Sequence, residues 1–316
     1  MLSISHTARH LGRYDLCDTL AFPLNPVAFS LPLLCMKSLK IAILDLYDNA
    51  PNEGMRCLNQ LTRRAQAESP VAISYDVFNV RANLEVPDLS YDIYLSSGGP
   101  GSPLASEEAW EQPFFALMDG ILAWNETHAR KKYLFVICHS FQLLTRHLGI
   151  GALSKRKSTS LGIFPIPKTE AGQLDPLLSV LPDPFYVMDS RDYQVTQPDT
   201  ERMTELGVEI LALEKERPHV PLEQAVMAIR FSDEVFGTQF HPEADSEGML
   251  RYMKTEEKRR QVIENHGEEK YLEMVQLLQD PNALELTDAA ILPTFLRTAI
   301  ETLTAQTVPA GVSVNS

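Results

Sequence analysis

Between Leu39 and Gly149 short apolar runs rich in β-branched and aromatic residues alternate with amphipathic stretches of helical period, and this alternation constrains the chain more than any other feature. "LKIAILDL" (39–46), "VAISYDVFNV" (71–80), "YDIYLSS" (91–97) and "KYLFVIC" (132–138) read as strands. "NEGMRCLNQLTRRAQAE" (52–68) is a helix with Met55, Leu58 and Leu61 on one stripe. A second helix runs from Ser106 to His128, opened by a Ser-x-x-Glu-like cap region and burying Trp110, Phe114, Leu117, Ile121 and Trp124 as core. A third, "HSFQLLTRHLG" (139–149), follows Cys138 directly and ends at Gly149. Strands separated by helices predict an α/β fold with a mostly parallel sheet flanked by crossover helices.

After Gly149 the pattern changes. "TSLGIFPIPK", "FYVMDSRDYQV", "VEILALE", "EQAVMAIRF" and "EVFGTQF" are short strands with tight links and predict an antiparallel extension of the sheet. From Ser246 to Thr307 the chain is mostly helical, its last helix carrying an internal Pro293. The predicted organisation is a main domain over 37–245, a C-terminal helical extension over 246–307 and a loose tail over 308–316. Residues 1–36 read as a leader outside the fold. Their apolar part carries Pro23, Pro26, Pro32 and Asn25, which suits neither a signal peptide nor a packed helix, and Met36 has the features of an ordinary start.

The 316 residues carry a formal net charge of −14, and basic runs such as Lys155-Arg156-Lys157 are no longer than three residues, so a nucleic-acid partner is not expected. Cys17, Cys35, Cys57 and Cys138 lack CxxC spacing, which suggests neither a zinc site nor a disulfide framework and fits a cytoplasmic protein. No apolar run reaches the roughly eighteen residues of a membrane-spanning helix, so no membrane partner is expected.

Ligands of open α/β sheets sit beyond the carboxyl ends of the strands. Three loops leave such ends: "DLYDNAPNEG", "SSGGPGSP" and the turn at Cys138. Gly98, Gly99 and Gly101 make either a plain turn or a set of unobstructed N–H donors for an oxyanion. Cys138 is either a buried core thiol or a nucleophile on a strand-to-helix elbow, where the helix N-terminus favours a thiolate. "GTQFHPEAD" (237–245) offers His241 at a strand end with Glu243 two residues on, either structural or a base with its orienting acceptor. His139, His147 and His219 are read as structural.

"SSGGPGS", "ICHSFQLL" and "GTQFHPE", in this order and at these separations, resemble the oxyanion strand, nucleophile elbow and His-x-Glu element of class I glutamine amidotransferases, over roughly residues 39–245. The resemblance implies a flavodoxin-like, class I amidotransferase-like sheet and thiol catalysis without metal or organic cofactor. It implies Cys138 as nucleophile, His241 as proton relay and Glu243 as its orienting group. Gly99 and His139 would supply oxyanion N–H groups, and Gly98, Gln142, Ser190 and Arg191 would border the substrate. Val136 and Ser140 stand where the family's elbow has glycines, and Arg191 where it usually has histidine. The implied activity is hydrolysis of the glutamine side-chain amide to glutamate and ammonia, with a separate ammonia-accepting synthase subunit as partner. Two other readings are a γ-glutamyl amide or peptide hydrolase and a non-enzymatic sensor or binding protein. An intact Cys138, His241 and Glu243 argue against the last.

Overall fold

Alternation along the first strand sets the layering. In β1 (Leu39–Asp45), Leu39, Ile41 and Ile43 join one apolar core while Ala42 and Leu44 join another, as the two-residue period of a strand buried on both faces requires. The same division runs through β4 (Tyr133–Ile137), where Tyr133, Phe135 and Ile137 face the first core and Leu134 and Val136 the second. The computed structural model describes residues 38–50, 52–216, 222–280 and 284–306; the predicted leader and tail and His219 lie outside the described residues.

Around these strands stand α1 (Glu53–Glu68), β2 (Ile73–Asn79), the short α2 (Val80–Asn83), β3 (Ile93–Ser96), α3 (Glu111–Thr127) and α4 (His139–Leu148). The chain continues with β5 (Ala152–Ile166), α5 (Glu170–Leu174), β6 (Phe185–Thr196), α6 (Thr200–Leu206), β7 (Glu209–Leu213), β8 (Val226–Arg230) and β9 (Val235–Thr238). Four helices close it: α7 (Ser246–Met253), α8 (Glu256–His266), α9 (Glu268–Leu278) and α10 (Glu285–Ala305). The main sheet has seven strands in the order β2-β1-β3-β4-β9-β8-β7. The first five are parallel, and β8 and β7 extend it antiparallel.

The α/β class and the mostly parallel sheet are as the sequence predicts; the detail after Gly149 differs. β9 is not an edge of the antiparallel extension but an inner strand parallel to β4, with Val136 opposite Gly237. β5 and β6 do not join the main sheet at all; they pair with each other as a long antiparallel hairpin. Local sequence shows that a segment is a strand, but pairing is chosen by which apolar faces meet. The second helix begins at Glu111, not Ser106, because Ser106 turns its hydroxyl to the Glu111 carboxylate. Trp110 is core, whereas Trp124 is only half-buried, donating Nε1–H to the Arg130 carbonyl and stacking on His128.

α1 and α10 cover one face of the sheet, α3 and α4 the other. In α10, Ile291, Leu292, Phe295, Leu296, Ala299, Ile300 and Leu303 enter the first core, with Phe295 edge-on to Tyr133 and Phe135. A third apolar cluster joins Ile163 and Met188 of the β5–β6 hairpin to Met249, Met253, Val262, Tyr271 and Met274 of α7, α8 and α9.

Candidate active site

The parallel strands β1, β3, β4 and β9 end side by side, so the residues that follow them share one crevice. Cys138 leaves β4 with φ 49° and ψ −97°, a left-handed backbone that a non-glycine residue holds only under external constraint. The constraint is visible. Cys138 N–H donates to the Thr238 carbonyl at 2.7 Å, and α4 begins at the next residue. Ser140 closes the elbow: its hydroxyl accepts from Ile137 N–H at 2.9 Å and reaches the Ser96 carbonyl at 3.0 Å. A serine in place of glycine thus ties the Cys138 turn to the end of β3.

Val136, the other departure at the elbow, is accommodated across the ladder. A Cβ on Gly237 would come within 2.7 Å of Val136 Cγ2, 2.9 Å of Phe141 and 3.0 Å of Phe231. The neighbouring strand is empty where Val136 is bulky.

His241 follows β9 and is fixed by the hairpin, its N–H donating to the Met188 carbonyl at 2.9 Å. Its Nδ1 lies 2.8 Å from Glu243 Oε1, an N–H donating to a carboxylate oxygen, and the Glu243 side chain is only 1% exposed. Burial alone would push the imidazole down, but the Glu243 carboxylate and the Cys138 sulfur hold it well above its ordinary value. Cys138 Sγ points at the Ser190 carbonyl, 3.7 Å away, and receives Gln239 Nε2–H at 3.6 Å. Gln142 donates to Gln239 Oε1 at 2.9 Å and to the Tyr193 carbonyl at 3.1 Å, linking elbow, β9 and hairpin.

These groups border a cavity of about 320 Å³, which Gly99, His139, Gln142, Ser190 and Arg191 also line. Gly98 packs against the reacting groups, since a Cβ there would lie 2.9 Å from His241 Cε1 and 3.5 Å from Cys138 Cβ. The structure therefore brings together all nine residues singled out from the sequence. Two of them behave differently from a simple carry-over. The His139 ring is buried beside Trp110, and burial together with the guanidinium groups of Arg81 and Arg146 pushes it down to about 3, so the ring stays neutral. The Arg191 side chain is 1% exposed and engages Asp189 of the hairpin at 2.9 Å and Glu214, just after β7, at 3.5 Å, so two carboxylates balance its charge.

Sequence reasoning missed Tyr47, Cys57 and Gln239, and from the helical segment Met249 and Tyr252, which line the same cavity or touch Cys138. Tyr47 lies in a loop already placed at a strand end, so its position was findable. Met249 and Tyr252 carry no signal, because only tertiary packing brings α7 over the crevice. Chemically the site holds a strained thiol, an imidazole aligned by a carboxylate and backbone donors at a helix start, an arrangement suited to acyl transfer through sulfur.

Fold and site together define an α/β protein with a thiol–imidazole–carboxylate cleft at the carboxyl end of a parallel sheet. The family model described as glutamine amidotransferase class-I matches residues 56–256. The chain belongs to the class-I glutamine amidotransferase family. Among solved structures it is similar to a glutamine amidotransferase from Thermotoga maritima, with a TM-score of 0.61 and 15% identity over 83% of this chain and 98% of that one. It is also similar to a glutamine amidotransferase from Methylobacillus flagellatus, with a TM-score of 0.51 and 14% identity over 89% of this chain and 99% of that one. At such identities the likeness is one of fold. No curated protein matches the chain.

Proposed function

We propose that the chain hydrolyses the side-chain amide of glutamine, or of a related γ-glutamyl compound, through a thioester on Cys138. The observation that carries this reading is Cys138 at φ 49° in the same cleft as a His241–Glu243 pair 2.8 Å apart. In the first half-reaction the Cys138 sulfur forms a bond to the amide carbon while His241 takes the thiol proton. The oxyanion is held by the N–H groups of Gly99 and His139, the latter at the start of α4 where helix geometry leaves N–H groups without acceptors. The C–N bond then breaks, and His241 returns the proton to the leaving nitrogen. In the second half His241 accepts a proton from water as its oxygen attacks the thioester, and the C–S bond breaks while His241 returns the proton to the leaving sulfur, giving glutamate and the free thiol. Glu243 orients the imidazole throughout.

Gly98 keeps the space beside the imidazole open, and Gln142 and Ser190 hold the wall opposite. Arg191 shapes that wall from below, through Asp189 and Glu214. The ammonia would pass to a separate synthase subunit or be released in the cytoplasm.

A second reading, hydrolysis of a γ-glutamyl amide larger than glutamine, is favoured by the cavity. It measures about 320 Å³, and α7 adds Met249 and Tyr252 to a lining that extends past the three motifs. The test is glutamate release from glutamine and from γ-glutamyl dipeptides by the wild type and by Cys138→Ala. Turnover of glutamine abolished by Cys138→Ala supports the first reading, and turnover of dipeptides alone supports the second. Turnover that survives Cys138→Ala overturns both.

A further inference from the structure

Ser97 precedes the two glycines of the loop after β3 and is completely buried, outside the lining of the cavity. Its hydroxyl accepts from Leu46 N–H at 2.9 Å, just past the end of β1, and donates to the Gly98 carbonyl at 2.7 Å. That carbonyl belongs to the peptide unit whose other end is the Gly99 N–H. A trans peptide is planar, with its C=O and N–H pointing in opposite directions, and Asp183-Pro184 is the only cis bond among the described residues. Drawing the Gly98 carbonyl to the buried serine therefore turns the Gly99 N–H the other way. Gly99 lines the cavity, and its N–H donates to no described residue.

The surroundings leave no room for a side chain on either glycine. A Cβ on Gly99 would lie 2.4 Å from the Leu46 carbonyl oxygen, and one on Gly98 would lie 2.9 Å from His241 Cε1. Two glycines in succession leave their shared peptide free to rotate, because neither supplies the steric limits that a Cβ imposes. Ser97 offsets that freedom at the carbonyl end. Past Gly99, Arg81 Nη1 donates to the Pro100 carbonyl and reaches the Leu46 carbonyl at 3.4 Å, tying the rest of the loop to the end of β1. We propose that Ser97 is a positioning residue whose hydroxyl latches the Gly98 carbonyl and so holds the Gly99 N–H in the orientation that stabilises the oxyanion.

This role rests on the reading of Cys138 as a nucleophile whose oxyanion Gly99 stabilises, and two reagents test the two separately. Each is followed at the Cys138 peptide by mass spectrometry. With p-nitrophenyl acetate the sulfur bonds to the carbonyl carbon, His241 takes the thiol proton, and the C–O bond breaks to release p-nitrophenolate; an oxyanion forms on the way. With iodoacetamide the sulfur displaces iodide from a saturated carbon, and no oxyanion forms. The full chain is compared as wild type, Ser97→Ala and Ser97→Thr, with thermal melts alongside. Ser97→Ala is expected to slow acetylation of Cys138 about tenfold, less than the roughly 100- to 1,000-fold of losing an oxyanion donor outright, and to change alkylation less than about twofold. Ser97→Thr keeps the hydroxyl and is expected to keep the wild-type acetylation rate. Equal slowing of both reactions in Ser97→Ala, slowing of neither, or a Ser97→Ala chain without a cooperative melt overturns the role of Ser97 and leaves the catalytic unit standing; so does a folded Ser97→Thr as slow as Ser97→Ala. A wild-type Cys138 that neither reagent modifies faster than Cys57 overturns the catalytic unit as well.

Discussion

At Cys138 the backbone holds a conformation that costs energy, and the residues around it show what sustains it. Ser140 satisfies Ile137 N–H and the Ser96 carbonyl with one hydroxyl, and the Thr238 carbonyl anchors Cys138 N–H. Val136 adds bulk on the strand before the elbow, and Gly237 removes it from the strand beside. This pairing makes a prediction about stability. Gly237→Ala should destabilise the fold by about 1–3 kcal/mol through overpacking. Adding Val136→Ala should recover most of that loss, because the two sites touch and are not additive. Urea titrations of the two single variants and the double variant measure it; a double variant with the summed cost of the singles would show that Gly237 is small for another reason. The same pair explains why a valine is tolerated where the family's motif has glycine, a fact invisible in the elbow's own sequence.

The elements are joined by contacts that local sequence does not announce. The β5–β6 hairpin is tied to α4 by Gln142, which donates to the Tyr193 carbonyl, and packs through Ile163 and Met188 on α7, α8 and α9. Within β5, opposite Asp189, Gly162 has φ 143°, and a Cβ there would meet Met274 Cε at 2.8 Å, so α9 sits close against a backbone that only glycine adopts freely. α10 begins beside α1, where Thr287 donates to the Tyr186 carbonyl of the hairpin. Asp288, in the first turn of α10, is pushed up to about 6 by burial and then by Asp245, with Arg64 opposing. The sign follows directly. A carboxyl raised in the folded state binds its proton more tightly there, so its contribution is favourable below about pH 4 and is lost as pH rises through about 6. Asp288→Asn should therefore raise the melting temperature at pH 8 and leave it nearly unchanged at pH 4. The favourable placement of an acid in a first turn recovers only part of the cost. Thermal melts at the two pH values decide this, and an equal gain at both would place the effect outside ionisation.

For the whole molecule the last helix, α10, is part of the fold's interior. The matched family region ends at residue 256, but seven side chains of α10 complete the core on one face of the sheet. Each large apolar side chain buried there stabilises by about 1.5–3 kcal/mol, and the sum rivals the 5–15 kcal/mol by which domains are stable. A chain ending before Glu285 is expected to lose cooperative thermal unfolding, as circular dichroism would show. A sharp transition near the wild-type temperature would make α10 dispensable.

The sequence by itself determined the α/β class, the parallel strands and the order of the three motifs. Those follow from residue periods of two and 3.6 and from side-chain types at fixed local spacing, which are properties of short segments. It also determined that Cys138, His241 and Glu243 belong to one site, because the resemblance joined what spacing alone could not. Only the tertiary structure decided that β9 lies inside the sheet next to β4, that the hairpin stands apart, that Arg191 is neutralised by Asp189 and Glu214, and that Tyr47, Met249 and Tyr252 border the thiol. Each of these depends on contacts between residues far apart in the chain, where the choice of partner is made by packing and desolvation and leaves no mark on the local sequence.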